Sequence, residues 1–305
     1  MTKNIDVSWV AVDWGTSNLR AYLMGSDGAV LAELQSDQGM GSLTPDAFEP
    51  VLLDLLTDFL PESGALPVLC CGMVGAKQGW QEAAYTTTPC KAAGAAQPVV
   101  APTVDPRLAV RILPGVSQAS PADVMRGEET QIAGFLARFP KFDGVLCLPG
   151  THSKWVRISA EEIVSFQTFM TGELFDLLTQ HSVLRHAFTT DAMDLAAFRD
   201  AVDSAMSRPQ AIASRLFAIR AEGLLNNQEP EVARGQLSGY LLGMELAAAR
   251  PYWLGMDVAI IGAPALSGLY QEALSAQGCP ARLQDAAGLT VAGLKAAYET
   301  LGVSS

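Results

Sequence analysis

Long hydrophobic runs and an excess of positive charge are both missing from this chain of 305 residues. No apolar run is long enough to cross a bilayer, so we expect no membrane-spanning segment. The N-terminal stretch MTKNIDVSWV lacks a basic region followed by a long apolar one, so no secretory signal is expected. The net charge of −12 argues against a nucleic-acid-binding protein, which needs a basic face, but it leaves a nucleotide substrate open.

Metal-binding and redox motifs are also scarce. The five cysteines include no C-x-x-C pair, and their odd number fits reduced thiols in a cytoplasmic protein. The three histidines have no zinc-ligand spacing. Neither G-x-x-x-x-G-K-[ST] nor a G-x-G-x-x-G after a strand is present, so the two common Gly-rich phosphate loops are not expected. The absence of G-x-S-x-G also disfavours an acyl-transfer hydrolase that would pair Ser153 or Cys71 with His152.

What the chain does contain is a globular composition, with 49% apolar and 17% charged residues, enough for one large domain or two of ordinary size. Its opening, VAVDWGTSNLRAYLM, predicts a strand, a Gly-Thr turn and a second strand, with a third strand after the GSDG turn. The stretch DGVLCLPGTHSKWVRISAEEIVSFQTF predicts the same series again. Two copies indicate two related α/β domains, although a chance match of two hairpins explains this feature equally well.

The rest of the pattern combines buried strands with helices. Residues 50–60 have helical spacing, and PVLCCGMVG predicts a buried parallel strand that ends in a Gly-rich turn. DVMRGEETQIAGFLARF predicts a loop entering a helix, and the residues after the second hairpin are rich in helices. VAIIGAPALSGLYQEALSAQG predicts a strand, a Gly/Ala turn and a helix, which is typical of a ligand-facing βα loop, and GLTVAGLKAAYETLG predicts a closing helix.

The Gly-Thr turns suit phosphate binding, because a tight turn offers backbone N–H groups and a hydroxyl, and glycine permits close approach. Asp13, at the end of the first strand, is placed for Mg²⁺, with a carboxylate that caps its own turn as the simpler alternative. Glu128 and Glu129 begin a predicted helix, where a carboxylate anion is stabilised and suits a base that accepts a hydroxyl proton. An ordinary first-turn preference for acids explains one of them equally well, and we do not expect both to be catalytic.

Other polar residues flank these turns. His152 and Lys154 lie at the second turn, where a donor or cation would meet phosphate, with a structural histidine as the alternative for His152. Lys77 and Trp80 lie in the Gly-rich loop after a sheet strand, which suggests a substrate loop, although a tryptophan there more often belongs to a core.

Five blocks give the sequence a family resemblance: DWGTSNLRA, GMVGAKQGW, VMRGEETQ, PGTHSKWV and MTGEL. DWGTSNLRAYL resembles the first phosphate loop of the sugar-kinase, hsp70 and actin superfamily. CLPGTHSKWV stands in the place of the second phosphate loop, and IIGAPALSGLYQEAL in the place of the adenosine loop. In their order and spacing the five blocks are similar to those of the 2-dehydro-3-deoxygalactonokinases, also called 2-keto-3-deoxygalactonate kinases.

The resemblance implies an α/β fold of two ribonuclease-H-like (actin-like ATPase) domains with a nucleotide cleft between them. On this basis residues 1–125 form the N-terminal domain with the substrate loop, and residues 126–140 form the connecting helix. Residues 141–305 form the C-terminal domain with the adenosine loop, and its final helix packs back toward the first domain. The implied reaction uses ATP and Mg²⁺ and transfers the γ-phosphoryl group to the C6 hydroxyl of 2-dehydro-3-deoxy-D-galactonate, a step of galactonate and galactose catabolism.

The residue roles implied by the resemblance fall into three groups. Asp13 is expected as the metal ligand, and Glu128 as the general base, with Glu129 as the alternative base because the alignment can slip by one. The expected ATP and phosphate contacts are Gly15, Thr16, Ser17, Asn18, Arg20, Gly150, Thr151, His152, Lys154, Gly262, Ala263 and Ser267. The expected substrate contacts are Gly72, Met73, Gly75, Lys77, Trp80, Arg126, Thr171 and Glu173.

The chain departs from the superfamily pattern at two loops. The second phosphate loop has Leu148 and Pro149 before its Gly-Thr pair, where many members have a second Asp or a Gly-Gly. His152 or Lys154 is therefore expected to take over part of the electrostatic role of that loop. The adenosine loop reads GAPALSG instead of a Gly-Gly-Gly run, which leaves the base contacts open.

Three alternatives to this function stay open or are disfavoured. A kinase for the gluconate-derived epimer stays open, since the two sugar acids differ at one carbon. A non-kinase actin-like ATPase switch would need large peptide-binding or polymerising additions that the chain lacks, and a sugar-responsive repressor would need a helix-turn-helix before the first strand. The expected partner is a small-molecule sugar acid, without nucleic acid or membrane, and a homodimer is the default expectation.

Overall fold

Both predicted hairpins are present in the computed structural model, which describes residues 6–92 and 97–302. Residues 1–5, part of the stretch from which no secretory signal is expected, lie outside the described residues. The described chain divides into two compact units. Unit 1 holds the described residues up to Phe142, Ser159–Ser165 and those from Ala286 onward, and unit 2 holds Asp143–Ile158 and Phe166–Asp285. The domain boundaries expected after residues 125 and 140 stay predictions.

The elements before residue 143 belong to unit 1. The strands are β1 (Trp9–Trp14), β2 (Leu19–Met24), β3 (Val30–Ser36), β4 (Leu66–Gly72), β5 (Tyr85–Thr87), β6 (Cys90–Lys91), β7 (Val99–Val100), β8 (Leu108–Ile112), β9 (Gly115–Gln118) and β10 (Asp123–Met125). The helices are α1 (Phe48–Leu56) and α2 (Glu128–Arg138). The helix expected over residues 50–60 is α1, which ends earlier because Thr57–Phe59 continue as a 3₁₀ turn.

The elements that follow belong mainly to unit 2. They are β11 (Gly144–Leu148), β12 (Ser153–Ser159), β13 (Glu162–Phe169), α3 (Thr171–His181), α4 (Leu195–Ser207), α5 (Ile212–Leu225), α6 (Pro230–Ala248), α7 (Arg250–Trp253), β14 (Val258–Gly262), α8 (Pro264–Ala276) and β15 (Arg282–Asp285). The start of β13 lies in unit 1, where Glu162 and Ile163 pair with β6. The final helix, α9 (Ala286–Thr300), also lies in unit 1.

Strand β1 lies at the centre of the main sheet of unit 1, whose strand order is β3-β2-β1-β4-β8-β7. It pairs antiparallel with β2 and parallel with β4. Its alternate residues Val10 and Val12 pack in the same apolar cluster as the buried face of α1, while Trp9 and Ala11 pack in the cluster that contains α9. Burial on both faces explains why β1 and β4 are almost wholly apolar. A smaller sheet of unit 1 has the order β10-β9-β5.

Unit 2 repeats the topology of unit 1. Strand β11 pairs antiparallel with β12 and parallel with β14, and β14 pairs parallel with β15. The strand order β13-β12-β11-β14-β15 therefore corresponds to β3-β2-β1-β4-β8. In both copies the Gly-Thr turn joins the first antiparallel pair, so the prediction of two related α/β domains is confirmed.

Two structural findings concern membrane-spanning helices and cysteines. No helix within residues 6–92 and 97–302 is long and apolar enough to span a membrane. The five cysteines are all buried and free, so none takes part in a disulfide.

Candidate active site

The first Gly-Thr loop joins β1 to β2 in unit 1. Gly15 closes the turn by donating its N–H to the carbonyl oxygen of Asn18 at 2.9 Å. The side chains of Thr16, Ser17 and Asn18 are exposed, as is Arg20 at the start of β2. The turn therefore presents hydroxyl, amide and guanidinium donors together, which is a donor set that suits phosphate oxygens.

A segment made of residues 38–41, which we call the strap, packs against the back of this loop. Met40 donates its N–H to the carbonyl oxygen of Gly15 at 2.9 Å, and Gly41 donates to that of Thr16 at 2.8 Å. Because these carbonyl groups are held from behind, the loop backbone is fixed by a segment distant in the sequence.

The strap can approach this closely only because it contains glycine. A Cβ on Gly39 would lie 2.3 Å from the carbonyl carbon of Ser17, so any side chain there would displace the loop. The indole N–H of Trp14 donates to the carbonyl oxygen of Gln38 at 3.0 Å and anchors the start of the strap. The strap was not predicted, and the closely spaced glycines in QGMGS are its signal in the sequence.

Asp13 lies one residue before the end of β1, opposite Arg20 on β2 and beside Cys71 on β4. The residue as a whole is half-buried. Burial raises the pKa of Asp13, the charge of Arg20 lowers it, and the charge of Glu128 raises it. A carboxylate that is desolvated and faces a second carboxylate is an environment that a divalent cation would stabilise.

Two glycines with left-handed backbone conformations bring α2 and β4 close to Asp13. Gly72 ends β4 with φ of +92°, and Gly127 precedes α2 with φ of +107°. A Cβ on Gly72 would lie 2.7 Å from the carbonyl oxygen of Trp14 and 3.5 Å from Oδ1 of Asp13, and a Cβ on Gly127 would lie 3.4 Å from Cα of Gly72. The first residues of α2 therefore lie against the end of β4 with no side chain between them.

Glu128 and Glu129 begin α2, but their surroundings differ. Glu129 is 3% exposed, and its two carboxyl oxygens accept the N–H of Gly127 at 2.9 and 2.7 Å. Burial, reinforced by the charge of Glu128, raises the pKa of Glu129 to about 8. Glu128 is half-buried and accepts the N–H of Arg126 at 3.1 Å. Glu129 therefore holds a proton near neutral pH, whereas Glu128 is the more accessible of the two.

The guanidinium of Arg126 is buried in the same region, close enough to lower the pKa of Glu129. Its Nη2 donates to the carbonyl oxygen of Ala83 at 2.7 Å, and its Cζ lies 4.3 Å from the ring centroid of Tyr85. The residue is 9% exposed, and its Nε and Nη1 have no hydrogen-bond partner within the described residues. Buried N–H groups of a cation are unfavourable without an acceptor, so this site suits an anionic or carbonyl ligand.

The Gly-rich loop after β4, the predicted substrate loop, begins with the 3₁₀ turn Met73–Gly75. A Cβ on Gly75 would lie 2.9 Å from Nη1 of Arg126, so the glycine leaves space for the guanidinium. Lys77 is exposed on the same loop. The structure thus brings Met73–Gly75 and Arg126 together in unit 1, with Lys77 at the surface of the loop.

Trp80 lies in the core of unit 1. It is 7% exposed, stacks on Phe48 with ring centroids 6.1 Å apart, and meets Trp14 edge-on. Its indole N–H donates to the carbonyl oxygen of Pro102 at 3.1 Å. These contacts support the base of the Gly-rich loop, while a direct contact of Trp80 with substrate stays a prediction.

The second Gly-Thr loop joins β11 to β12 in unit 2, and α3 packs against it much as the strap packs against the first. A Cβ on Gly172 would lie 2.4 Å from the carbonyl oxygen of Gly150 and 2.8 Å from Cα of Thr151. Glu173 donates its backbone N–H to the carbonyl oxygen of Thr151 at 2.9 Å. Its carboxylate lies 2.6 Å from Nε2 of His152. The structure therefore places Glu173 at the second Gly-Thr loop.

Lys154 is 6% exposed and donates from Nζ to the carbonyl oxygen of His152 at 3.2 Å. It pairs across the hairpin with Leu148. When the two Gly-Thr pairs are aligned, Leu148 occupies the position of Asp13, so the second copy has an apolar residue where the first has its carboxylate.

A cavity of about 330 Å³ lies beside the second loop within unit 2. Its walls come mainly from α3, α6 and α8, with Phe175, Leu241 and Leu266 among its apolar residues and Arg234 and Ser238 among its polar ones. The volume and the mostly apolar lining with few polar groups are typical of small-molecule sites. These residues escaped the sequence analysis, because each belongs to a helix whose pattern is that of any amphipathic helix.

The predicted adenosine loop follows β14. Gly262 ends the strand and Ala263 is exposed immediately before α8. Ser267 is 2% exposed, and its hydroxyl has no hydrogen-bond partner in the described part of the chain. A Cβ on Gly262 would lie 2.8 Å from that hydroxyl, so the glycine leaves space for the buried Ser267 side chain.

The carboxylates near the first Gly-Thr loop suit Mg²⁺, and not a metal ion that takes all its ligands from protein side chains. Among residues 6–92 and 97–302, no three His, Cys, Asp or Glu side chains group closely enough to hold a metal ion. Mg²⁺ commonly takes one or two carboxylates and completes its shell with water and phosphate oxygens. Asp13, with the charge of Glu128 close to it, matches that mode.

Comparison with known proteins gives one consistent result. The family model described as 2-keto-3-deoxy-galactonokinase matches residues 13–297. The chain is 43% identical over 300 residues to "Probable 2-dehydro-3-deoxygalactonokinase DgoK1" of Rhizobium meliloti, covering 96% of this chain and 97% of the relative. It is 34% identical over 274 residues to the 2-dehydro-3-deoxygalactonokinase of Escherichia coli, covering 89% and 90%.

A solved structure agrees with these relatives. A crystal structure from Sinorhizobium meliloti, provisionally designated a 2-dehydro-3-deoxygalactonokinase, matches with a TM-score of 0.89 at 41% identity. The match covers 97% of this chain and 100% of that one. At this similarity the likeness extends over the whole α/β architecture described above.

Proposed function

This chain belongs to the 2-keto-3-deoxy-galactonokinase family, and from that membership we propose that it transfers the γ-phosphoryl group of ATP to the C6 hydroxyl of 2-dehydro-3-deoxy-D-galactonate. The observation that carries the proposal is the group of Asp13, Arg126 and Glu128 in unit 1. It combines a carboxylate suited to a metal ion, a buried cation with unpaired N–H groups, and a more accessible carboxylate at a helix start.

Glu128 is the general base in this proposal. The substrate hydroxyl oxygen forms a bond to the γ-phosphorus, the bond from that phosphorus to the bridging oxygen of ADP breaks, and the hydroxyl proton passes to the Glu128 carboxylate. Glu129 is unsuited to this step, because its oxygens are buried against Gly127 and its raised pKa of about 8 keeps it protonated near neutral pH. Its role is to hold the first turn of α2.

Asp13 would hold Mg²⁺, with Glu128 contributing to the negative field at that point. When bound, the ion supplies charge neutralisation of phosphate oxygens. Thr16, Ser17 and Asn18 offer exposed donors to phosphate oxygens at the end of the same strand. The strap keeps this loop in position, which limits the reorganisation needed when phosphate binds.

Arg126 would bind the carboxylate or keto oxygen of the sugar acid. Its Nε and Nη1 lack acceptors within the described residues, and a planar guanidinium pairs well with an anionic oxygen pair. Met73–Gly75 would form the adjacent wall, since Gly75 lies against the guanidinium. Lys77 would add a second positive charge from the exposed part of the loop.

The nucleotide would use unit 2. Its base and ribose would enter the 330 Å³ cavity beside Phe175, Leu241 and Leu266, and its phosphates would meet the adjoining Gly150 and Thr151. In this proposal Ala263 and Ser267 belong to the adenosine loop at the start of α8, the helix whose residues Leu266, Leu269 and Tyr270 line that cavity.

The test is a coupled ADP-release assay with Mg-ATP and either 2-keto-3-deoxy sugar acid, using wild type, Glu128→Gln and Glu129→Gln. We expect the galacto acid to be the better substrate and Glu128→Gln to lower kcat by about a hundredfold or more. Glu129→Gln should retain much more activity, because glutamine resembles the protonated carboxyl. Preference for the gluconate-derived acid would reassign the substrate, and a larger loss in Glu129→Gln would move the base to that residue.

Arg126→Lys separates binding from chemistry in the same assay. Lysine keeps the charge but not the planar arrangement of donors, so KM for the sugar acid should rise about tenfold or more while KM for ATP changes little. An unchanged KM for the acid would place its carboxylate elsewhere.

We also infer that the enzyme acts in the cytoplasm, where ATP is abundant, and its five buried free thiols are compatible with that compartment. A homodimer remains our default for the oligomeric state, and native mass spectrometry would detect a monomer or a higher oligomer directly.

A further inference from the structure

A buried carboxylate outside the group in unit 1 collects hydrogen bonds from several segments of unit 2. Glu245 lies near the end of α6 and is 1% exposed. Its Oε1 accepts the indole N–H of Trp155 at 2.8 Å, and its Oε2 accepts the hydroxyl of Tyr270 at 2.8 Å. The hydroxyl of Thr171 also donates to Oε2. Glu245 thus binds donors from β12, α3 and α8 at once.

A fourth residue joins this network through Tyr270. The Ser153 hydroxyl oxygen lies 2.7 Å from that of Tyr270. Tyrosine has a single hydroxyl proton, which it gives to Glu245, so the Ser153 hydroxyl donates to Tyr270. Ser153 is the first residue of β12, directly after the second Gly-Thr loop, and the hydrogen-bond chain runs from there to Glu245.

Two of the donors lie in the wall of the proposed nucleotide site. Thr171 directly precedes Gly172, which packs on the backbone of Gly150 in the second loop. Thr171 and Tyr270 both line the cavity, and Tyr270 lies in the helix that follows the adenosine loop. The Glu245 carboxylate is therefore hydrogen-bonded both to the strand that follows the second loop and to two helices that line the cavity.

A carboxylate at this buried position accepts the surrounding hydrogen bonds better than an amide would. Burial raises the pKa of Glu245, while the hydrogen bonds from Thr171, Trp155 and Tyr270 lower it. Burying a carboxylate is unfavourable unless its oxygens are well supplied with donors. Glutamate has two acceptor oxygens for these three donors, whereas glutamine of the same size has one and would direct an NH₂ group at another donor.

We propose that Glu245 is a positioning residue for the nucleotide: by accepting hydrogen bonds from Trp155, Tyr270 and Thr171, it holds the second Gly-Thr loop and the cavity walls in the arrangement that binds ATP. This inference rests on the proposed kinase function. It assigns Glu245 no contact with nucleotide or substrate.

The test measures nucleotide binding separately from turnover. Titration calorimetry with ADP and ATP, without sugar acid, is compared for wild type, Glu245→Gln and Tyr270→Phe. We expect the nucleotide Kd to rise about tenfold or more in each variant, because a small displacement of a binding loop weakens its contacts with the nucleotide. In the ADP-release assay, KM for ATP should rise similarly while KM for the sugar acid stays near its wild-type value. The Glu245→Gln/Tyr270→Phe double variant should lose less than the sum of the single effects, since both act through one network.

Trp253→Phe is the matched control. It removes a comparable buried indole hydrogen bond, in which Trp253 donates to the carbonyl oxygen of Leu246 at 2.8 Å, near the same end of α6. We expect it to lower Tm without changing the nucleotide Kd. If Glu245→Gln behaves in the same way, Glu245 is merely structural and the proposal is wrong. Should Glu245→Gln not fold, Tyr270→Phe, which keeps the ring, decides by the same criterion.

Failure of the proposed function would look different. A wild-type protein that binds ATP but phosphorylates neither sugar acid would overturn the kinase assignment, while the calorimetric comparison would still decide the role of Glu245.

Discussion

The two Gly-Thr loops share a hairpin frame but differ in the chemistry that surrounds them. The first follows Asp13, a half-buried carboxylate, and the strap of residues 38–41 fixes it from behind through backbone hydrogen bonds. The second follows the apolar Leu148 and is fixed by α3 and by hydrogen bonds that end on the fully buried Glu245. Each loop thus has a carboxylate near it, but Asp13 is partly exposed whereas Glu245 is fully buried and occupied by hydrogen bonds.

The two units therefore share a fold but differ in the side chains near their loops. The strand order and the glycine packed on each loop are common to both copies. The charges are not: unit 1 gathers Asp13, Arg126 and Glu128 around one strand end, whereas unit 2 builds a mostly apolar cavity beside its loop. Topology supplies the frame of a site, and the side chains set on it decide between chemistry and binding.

The largest effect should come from removing the carboxylate that distinguishes the loops. Asp13→Asn should lower kcat by about a hundredfold to a thousandfold, because it deletes charge at the point where the metal and phosphate would be stabilised. Steady-state ADP release over a range of Mg²⁺ concentrations measures this. The matched change at the equivalent position, Leu148→Met, conserves volume and should leave kcat near wild type. Similar losses in both variants would contradict the asymmetry.

The next largest effect should come from adding a side chain to the glycines that pack against the two loops. Gly39→Ala and Gly172→Ala place a Cβ 2.3 and 2.4 Å from loop backbone atoms, so each should displace its loop and raise KM for ATP about tenfold or more. Gly223→Ala on α5 is the control, since no atom lies within 4 Å of its added Cβ. It should keep full activity and gain up to about 1 kcal/mol of stability. Wild-type kinetics in Gly39→Ala would show that the strap has no part in holding the loop.

A smaller effect should be the dependence of stability on pH that comes from Glu129, the buried acid of α2. The pKa of Glu129 is raised from an ordinary value of 4.5 to about 8, so between these values the folded state binds more protons than the unfolded state. Its contribution to the free energy of unfolding is therefore fully present below the unfolded pKa and is lost as pH rises through the folded one.

Thermal unfolding between pH 5 and pH 9 measures this contribution when wild type is compared with Glu129→Gln. The Tm of wild type should fall relative to that of the variant toward high pH, by a shift on the order of a few degrees. Parallel Tm curves would mean that Glu129 does not titrate in this range.

The smallest effect should come from the surface of the second loop. His152 and Glu173 form a hydrogen-bonded pair that is an ion pair when the imidazole is protonated. Their side chains are 46% and 37% exposed, so Glu173→Gln should change the free energy of unfolding by less than about 1 kcal/mol. Denaturant unfolding at low and high salt checks this, and the difference should shrink as salt screens the pair. A loss several times larger would show that this ion pair, and not the Glu245 network, holds the second loop.

Many of the strands, turns and helices were predictable because they depend on residues close together in the sequence. The alternation of apolar residues predicted both hairpins, and the Gly-Thr turns appear where the pattern breaks. The start of α2 at Glu128 agrees with a run of acids after glycine, a preference set by the helix dipole. The resemblance of five short blocks led to the family, which the relatives show.

The sequence by itself determined these elements, the family and the list of chemically able residues, because neighbouring side chains and backbone preferences suffice for them. Only the tertiary structure decided which of those residues meet. Trp14 reaches the strap across 24 positions, Trp155 reaches Glu245 across 90, and Ser153 reaches Tyr270 across 117. It also separated Glu128 from its neighbour Glu129, because burial depends on what packs against a side chain from distant parts of the chain and not on adjacent residues.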